Sequence, residues 1–266
     1  MLRALLFDPQ TISAGVSARA PAAGTRAILL DIEGTTTPIA FVFDVLFPYI
    51  RTHLRAHLER HANAPEYEAL FDRLRDEHAS DQSAGEVPPP LVPVPAARRL
   101  ASVASYLEWL MDRDRKSTPL KELQGRIWED GYARGELVGE VFIDVPPALA
   151  RWRARNISVG IFSSGSVRAQ QLLFRHSSAG DLTEYLSYYF DTATGPKSAP
   201  DSYQRIAAAM AVPPGAFVFG SDATRELDAA RAAGMHTRLA VRPGNPPAPP
   251  GRGHQVIRSF DELLNE

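Results

Sequence analysis

The chain has 266 residues, 44% of them hydrophobic and 23% charged, with a formal net charge of −2. That length carries one large core, or a core with a smaller appended domain, and so small a net charge offers no general affinity for nucleic acid or acidic membranes. There is no cysteine, which excludes disulfides, thiolate metal sites and a cysteine nucleophile and suits a reducing compartment such as the cytoplasm. No apolar run approaches the roughly 20 residues that span a bilayer.

Residues 1–26 are rich in Ala, Ser and Arg with a single acid, Asp8. They lack the apolar stretch of a secretory signal and read as a poorly ordered N-terminal extension. The run A-I-L-L-D at 27–31 then reads as a buried strand that stops at a crevice. Asp31 and Glu33 stand two apart in D-I-E-G-T, so a strand fraying into a loop aims both carboxylates at one small volume. Two like charges there are costly without a cation, and oxygen ligands of this kind suit magnesium. Taken alone, D-x-E-G is an ordinary strand-end turn.

From Phe41 to about Arg60 apolar residues recur at helical spacing, with Pro48 expected to bend or restart the helix. A second helix is predicted from Pro65 to His78, and the proline-dense stretch 80–95 reads as a surface loop. Ala96 to Met111 resumes the helical period. After the charged turn D-R-D-R-K, Ser117 or Thr118 caps a further helix that has Pro119 in its first turn and carries Leu120, Leu123, Ile127 and Trp128. No strand is predicted between 41 and about 140. That makes 41–140 an inserted helical cap over an α/β core formed by 27–40 and 141–266.

Beyond Val145 helix and strand alternate, which predicts a parallel sheet. A helix with prolines at its start (P-P-A-L-A-R-W-R-A-R) precedes the strand S-V-G-I-F, which ends at Ser163, Ser164, Gly165 and Ser166. A helix from Val167 to Phe174, a short strand in Y-L-S-Y-Y-F-D, a loop carrying Lys197 and a helix from Ser202 to Met210 follow. The strand A-F-V-F-G ends at Ser221 and Asp222, and a helix closed by Gly234 leads to the strand H-T-R-L-A-V. After a loop at 242–253 the chain finishes on a short strand and a helix.

Three predicted strands thus end in polar groups: Asp31 and Glu33, then Ser163 and Ser164, then Ser221 and Asp222, with Lys197 in a loop between. Singly, each has a plainer reading, as a turn, a helix cap or a solvated charge, and the same holds for Glu226 one helical turn on. In this order they fit phosphoryl transfer. Asp31 attacks phosphorus, Lys197 and Ser163 hold the phosphoryl oxygens, Glu33 moves the proton of the departing oxygen, and Asp31, Glu33 and Asp222 hold magnesium.

The ordered set resembles the haloacid dehalogenase-like superfamily of phosphotransferases, which implies a Rossmann-like parallel sheet with a helical cap. Within it, D-I-E-G-T-T-T-P-I, the cap stretch W-L-M-D-R-D-R-K-S-T-P-L-K-E-L-Q-G-R-I-W, F-S-S-G-S-V-R-A-Q-Q-L-L-F, Y-F-D-T-A-T-G-P-K and S-D-A-T-R-E-L-D-A-A-R-A-A-G-M are similar to the enolase-phosphatase family, the acireductone synthases of methionine salvage. The likeness runs from about residue 27 to the end. It implies a monomeric hydrolase with one Mg2+ per subunit that enolises 5-(methylthio)-2,3-dioxopentyl phosphate and then removes the phosphate to leave 1,2-dihydroxy-5-methylthiopent-1-en-3-one. Asp31, Glu33 and Asp222 would hold the metal, Ser163, Ser164 and Lys197 the substrate, and Asp31, Glu33 and Lys197 would carry the chemistry. Two other readings stay open: another magnesium-dependent small-molecule phosphatase, and a non-catalytic phosphate-binding module. The base for the enolisation is not labelled. Arg113, Asp114, Arg115 and Lys116 are candidates, with a solvated helix end as the plainer reading.

Overall fold

A computed structural model describes residues 24–61, 64–92, 96–247 and 253–264. All but the last three residues of the expected N-terminal extension lie outside them. Six strands, β1 (Ala27–Leu30), β2 (Ser158–Phe162), β3 (Tyr188–Phe190), β4 (Phe217–Ser221), β5 (His236–Ala240) and β6 (Gln255–Ile257), pair in parallel in the order β3-β2-β1-β4-β5-β6. The helices are α1 (Phe47–His61), α2 (Pro65–Ser83), α3 (Ala96–Asp112), α4 (Thr118–Ala133), α5 (Val145–Ala154), α6 (Val167–Arg175), α7 (Pro200–Ala209) and α8 (Thr224–Ala232). The α/β expectation, a parallel sheet wound by helices, is what the chain adopts.

The strands are apolar throughout because both faces of the sheet are covered. In β1, Ile28 and Leu30 pack with Trp152, Phe174 and Phe260 on one face, while Ala27 and Leu29 pack with Tyr203, Phe219 and Leu227 on the other. Strand register then sets the height of the functional groups. Leu30 lies level with Ile161 and with Gly220, so Asp31, Phe162 and Ser221 leave the sheet together at its carboxyl edge. With β1 central and the chain winding outward on both sides, that edge is the switch point at which such sheets bind ligands.

Helices α1 to α4 pack around a core of their own, built on Leu54, Tyr67, Leu70, Tyr106, Leu107 and Leu123. Helix α4 lies against α6, and a Glu129 to Arg168 ion pair joins them. Among the described residues no helix is long and apolar enough to cross a membrane.

Pro48 restarts the helix, one of the two outcomes expected of it: Phe41–Leu46 forms a π-helix, and α1 begins at Phe47 with Pro48 in its first turn. Two local expectations are corrected. Helix α2 continues to Ser83, into the stretch expected to be loop, because Asp81 is buried and bonded there by Tyr106 and Arg115. The last helix is only a 3-10 turn, Phe260–Glu262. Ser117 is the N-cap of α4, accepting from Leu120 N at 3.2 Å.

Candidate active site

The loop after β1 is built by its own hydroxyls and amides. The backbone N–H groups of Thr35, Thr36 and Thr37 all reach the carbonyl of Ile32, and Thr36 Oγ1 donates to the carbonyl of Asp31 at 3.1 Å. Gly34 takes φ +69°, and a Cβ there would run into the carboxylate of Asp222. Glycine is required twice over, for the left-handed backbone and for the close approach. Asn245 Nδ2 and Arg242 Nε hold the loop from outside through the carbonyls of Gly34 and Thr35.

Asp31 is only 3% exposed. Its Oδ1 accepts from Ile32 N at 2.8 Å and from Lys197 Nζ at 2.5 Å, and its Oδ2 accepts from Ser221 Oγ at 3.1 Å. Lys197, which follows the G-P turn ahead of α7, is also buried and reaches Glu226 Oε2 at 2.8 Å. Tyr203 Oη donates to its carbonyl at 2.7 Å, which ties that loop to the core. Burial works against the ammonium, but the charges of Asp31 and Glu226 outweigh it and hold Lys197 above the usual lysine range.

The Ser221 hydroxyl stands between two carboxyls, 3.1 Å from Asp31 Oδ2 and 3.0 Å from Glu226 Oε2. A hydroxyl has one proton to give, so it can donate to only one of them at a time. Burial followed by the charge of Asp31 pushes the Glu226 carboxyl up to about 7. Asp222 is likewise raised to about 7, by burial first and then by Asp31, with Glu33 adding to it. Burial and Asp31 hold Glu33 above its ordinary range as well. Its Oε2 accepts from Ser163 Oγ at 3.5 Å, and Ser163 Oγ also accepts from Gly165 N at 3.0 Å.

Four carboxyls, Asp31, Glu33, Asp222 and Glu226, therefore gather around one ammonium. A site so short of positive charge, with only oxygen donors, suits a hard divalent cation. The side-chain oxygens of Asp31, Glu33 and Asp222 do not all come within 4.8 Å of one another, and Glu33 is turned toward Ser163.

The group opens on a cavity of about 670 Å³ between the sheet edge and the helical block. Asp31, Glu33, Ser163, Ser164, Lys197 and Asp222 all line it, so every site residue read from the sequence faces one space. Its far wall is apolar, with Val42, Phe43, Leu46, Phe47, Met111 and Trp128. Of the charge run, Asp114, Arg115 and Lys116 also line the cavity while Arg113 stacks over Trp109 at 4.2 Å. The Arg115 guanidinium is engaged by Asp81, and Lys116 by Asp114.

Sequence reasoning passed over Lys121 of α4. Its Nζ donates to the Ser164 carbonyl at 3.2 Å and to Thr192 Oγ1 at 3.1 Å, bridging the helical block and the strand-end loops. Burial and the neighbouring charge of Lys116 push its ammonium down. Tyr203 was missed too, because an aromatic at core spacing carries no mark of a second task.

Comparison with known proteins extends the picture. Residues 25–234 match the model of the haloacid dehalogenase-like hydrolases. Proteins named enolase-phosphatase E1 are similar over most of the chain. The one from Synechococcus elongatus is 50% identical over 89% of this chain and 96% of its own. The one from Sorangium cellulosum is 46% identical over 90% and 97%. Among solved structures, the UTR4 protein of Saccharomyces cerevisiae superposes with a TM-score of 0.73 at 32% identity, covering 90% of this chain and all of that one. CbbY of Rhodobacter sphaeroides, at 18% identity and TM-score 0.51, shares the fold.

Proposed function

The chain belongs to the haloacid dehalogenase-like hydrolases, within their enolase-phosphatase family, and on that premise we propose that it converts 5-(methylthio)-2,3-dioxopentyl phosphate to the acireductone 1,2-dihydroxy-5-methylthiopent-1-en-3-one and phosphate, a step of methionine salvage. The observation that carries the reading is the meeting of Asp31, Glu33, Ser163, Lys197 and Asp222, from four separate stretches of chain, on one cavity with an apolar far wall. The charged side is suited to a phosphate and the apolar side to a thioether tail.

In this reading Asp31 is the nucleophile. A carboxylate oxygen forms a bond to phosphorus as the bond to the enol oxygen breaks, and Glu33 supplies the proton that the departing oxygen needs. Glu33 then takes a proton from water, whose oxygen attacks the aspartyl phosphate and frees Asp31. Lys197, Ser163 and Ser164 hold the phosphoryl oxygens through both steps, the lysine contributing a charge already fixed in place by Asp31, Glu226 and the Tyr203 contact. Magnesium, one ion per subunit, would be held by Asp31 and Asp222 with the Glu33 region, and when bound it neutralises charge between carboxylates and phosphate. The enzyme is taken as a monomer, as the family resemblance implies, and as cytoplasmic, in keeping with the absence of cysteine.

The two raised carboxyls predict how metal and pH combine. Asp222 and Glu226 titrate near 7 in the metal-free protein and near 4 when unfolded. The folded state thus binds more protons between those values, so these groups support the fold below about pH 4 and withdraw that support as pH rises to about 7. A cation takes the place of the protons. The rise in melting temperature on adding saturating magnesium should accordingly be larger at pH 8 than at pH 5.5, and an equal rise at both would count against a metal at this cluster. The activity itself is tested by phosphate release from the diketone phosphate against a panel of simple phosphomonoesters. A strong preference for the former is expected, and fast turnover of the panel alone would assign the site to a different phosphatase.

A further inference from the structure

Away from the catalytic cavity, on the helical block, α1 and α4 bring two imidazoles and a carboxylate together. His57 and His61 stand four residues apart, on one face of α1, and Asp130 projects from α4. Asp130 Oδ2 lies 2.9 Å from His57 Nδ1 and 3.8 Å from His61 Nε2, and the three ligand atoms all fall within 4.8 Å of one another. Among the described residues this is the tightest such gathering of metal-type side chains.

Two imidazole nitrogens and one carboxylate oxygen form a zinc-type donor set, with the i, i+4 histidine pair supplied by a single helix. The rings are held in advance. His57 is buried, and its other nitrogen, Nε2, meets Tyr67 Oη at 2.6 Å, the outer hydrogen bond that orients a ligating histidine. His61 stacks on the same tyrosine, with ring centroids 5.2 Å apart and planes 9° from parallel. Burial keeps His57 neutral, lowering it to about 4, so that at neutral pH its imidazole is in the form that binds metal. Two guanidiniums face the same oxygen, Arg60 at 3.6 Å and Arg134 at 3.9 Å. Both are beyond hydrogen-bonding distance and partly exposed, and Arg134 has firmer partners in Glu136 and Tyr49. They can swing outward.

We propose that His57, His61 and Asp130 form a second metal site, for zinc or a similar borderline divalent ion, that clamps α1 to α4 within the helical block. Metal at Nδ1 of His57 takes the place of the proton shared with Asp130, and the remaining ring proton then sits on Nε2 and is donated to Tyr67 Oη. A fourth position is left to water on the exposed side of His61.

The test is a cobalt(II) titration of the whole, magnesium-saturated protein, read by visible absorption. A four-coordinate cobalt site with nitrogen ligands gives intense bands, whereas an oxygen-only site such as the catalytic cluster gives weak ones. One equivalent of cobalt giving intense bands that zinc removes is the expected result. His61→Ala should abolish those bands and leave phosphate release unchanged, and Tyr67→Phe should weaken binding by about tenfold. Zinc should raise the melting temperature of the wild type but not of His61→Ala or Asp130→Asn. Absence of intense bands in the wild type, or bands that persist in folded His61→Ala, overturns the proposal.

Discussion

Asp31→Asn should lower phosphate release by at least about 10⁴-fold, the scale on which removal of a nucleophile reads out, while the protein stays folded. Asparagine keeps the shape of the side chain: its oxygen can accept from Ile32 N, and its amide nitrogen, standing where Oδ2 was, can donate to the Ser221 hydroxyl. Lys197 keeps Glu226 at 2.8 Å, so no charge is stranded. Because the charge of Asp31 is the second cause of the raised Asp222 and Glu226 carboxyls, both should titrate lower in the variant. Acid quenching during turnover should trap an acyl phosphate on the wild type and none on Asp31→Asn. Substantial turnover by the variant would remove the nucleophile assignment and leave Asp31 as a metal ligand only.

Lys197→Ala is expected to damage both fold and chemistry. Removing the ammonium leaves Asp31 and Glu226 buried against each other without their shared partner. Breaking a buried pair in this way costs about 3–5 kcal/mol, which for a chain of this size lowers the melting temperature by on the order of 10 °C. Loss of one charged donor to the phosphoryl oxygens should lower turnover about 10²- to 10³-fold beyond that. Saturating magnesium should restore part of the stability, since it supplies the positive charge that the carboxyls lack, and little of the rate. A variant as stable and active as the wild type would show that the charge of Lys197 is dispensable.

What could be read from the sequence follows from how locally each feature is encoded. The strands β1, β2 and β4 announce themselves because both faces are buried, and each ends where polarity begins, so Asp31, Ser163 and Asp222 stand out. Lys197 lies in a loop with no period of its own, and only its order among the other groups marked it. Glu226 has the spacing of any exposed helical acid. What sets it apart is the Ser221 hydroxyl and the Lys197 ammonium, contacts that exist only once the strands are side by side. Lys121 is further still from legibility, since its partners Ser164 and Thr192 stand 43 and 71 residues away. The extension of α2 beyond His78 has the same origin: Asp81 looks like a solvated acid until Tyr106 and Arg115 close on it. The metal-type cluster on α1 and α4 is half visible, as a histidine pair four apart, and needs Asp130 from 69 residues on from His61 to complete it.

One chain is expected to perform two reactions at one site, and the most direct measurement follows both at once. Purified protein is given 5-(methylthio)-2,3-dioxopentyl phosphate under anaerobic conditions, with and without magnesium, while enol absorbance and inorganic phosphate are recorded together. An enol signal with phosphate release following it, both dependent on the metal, is the expected result. Phosphate release from simple monoesters with neither signal from this substrate would contradict a two-reaction site.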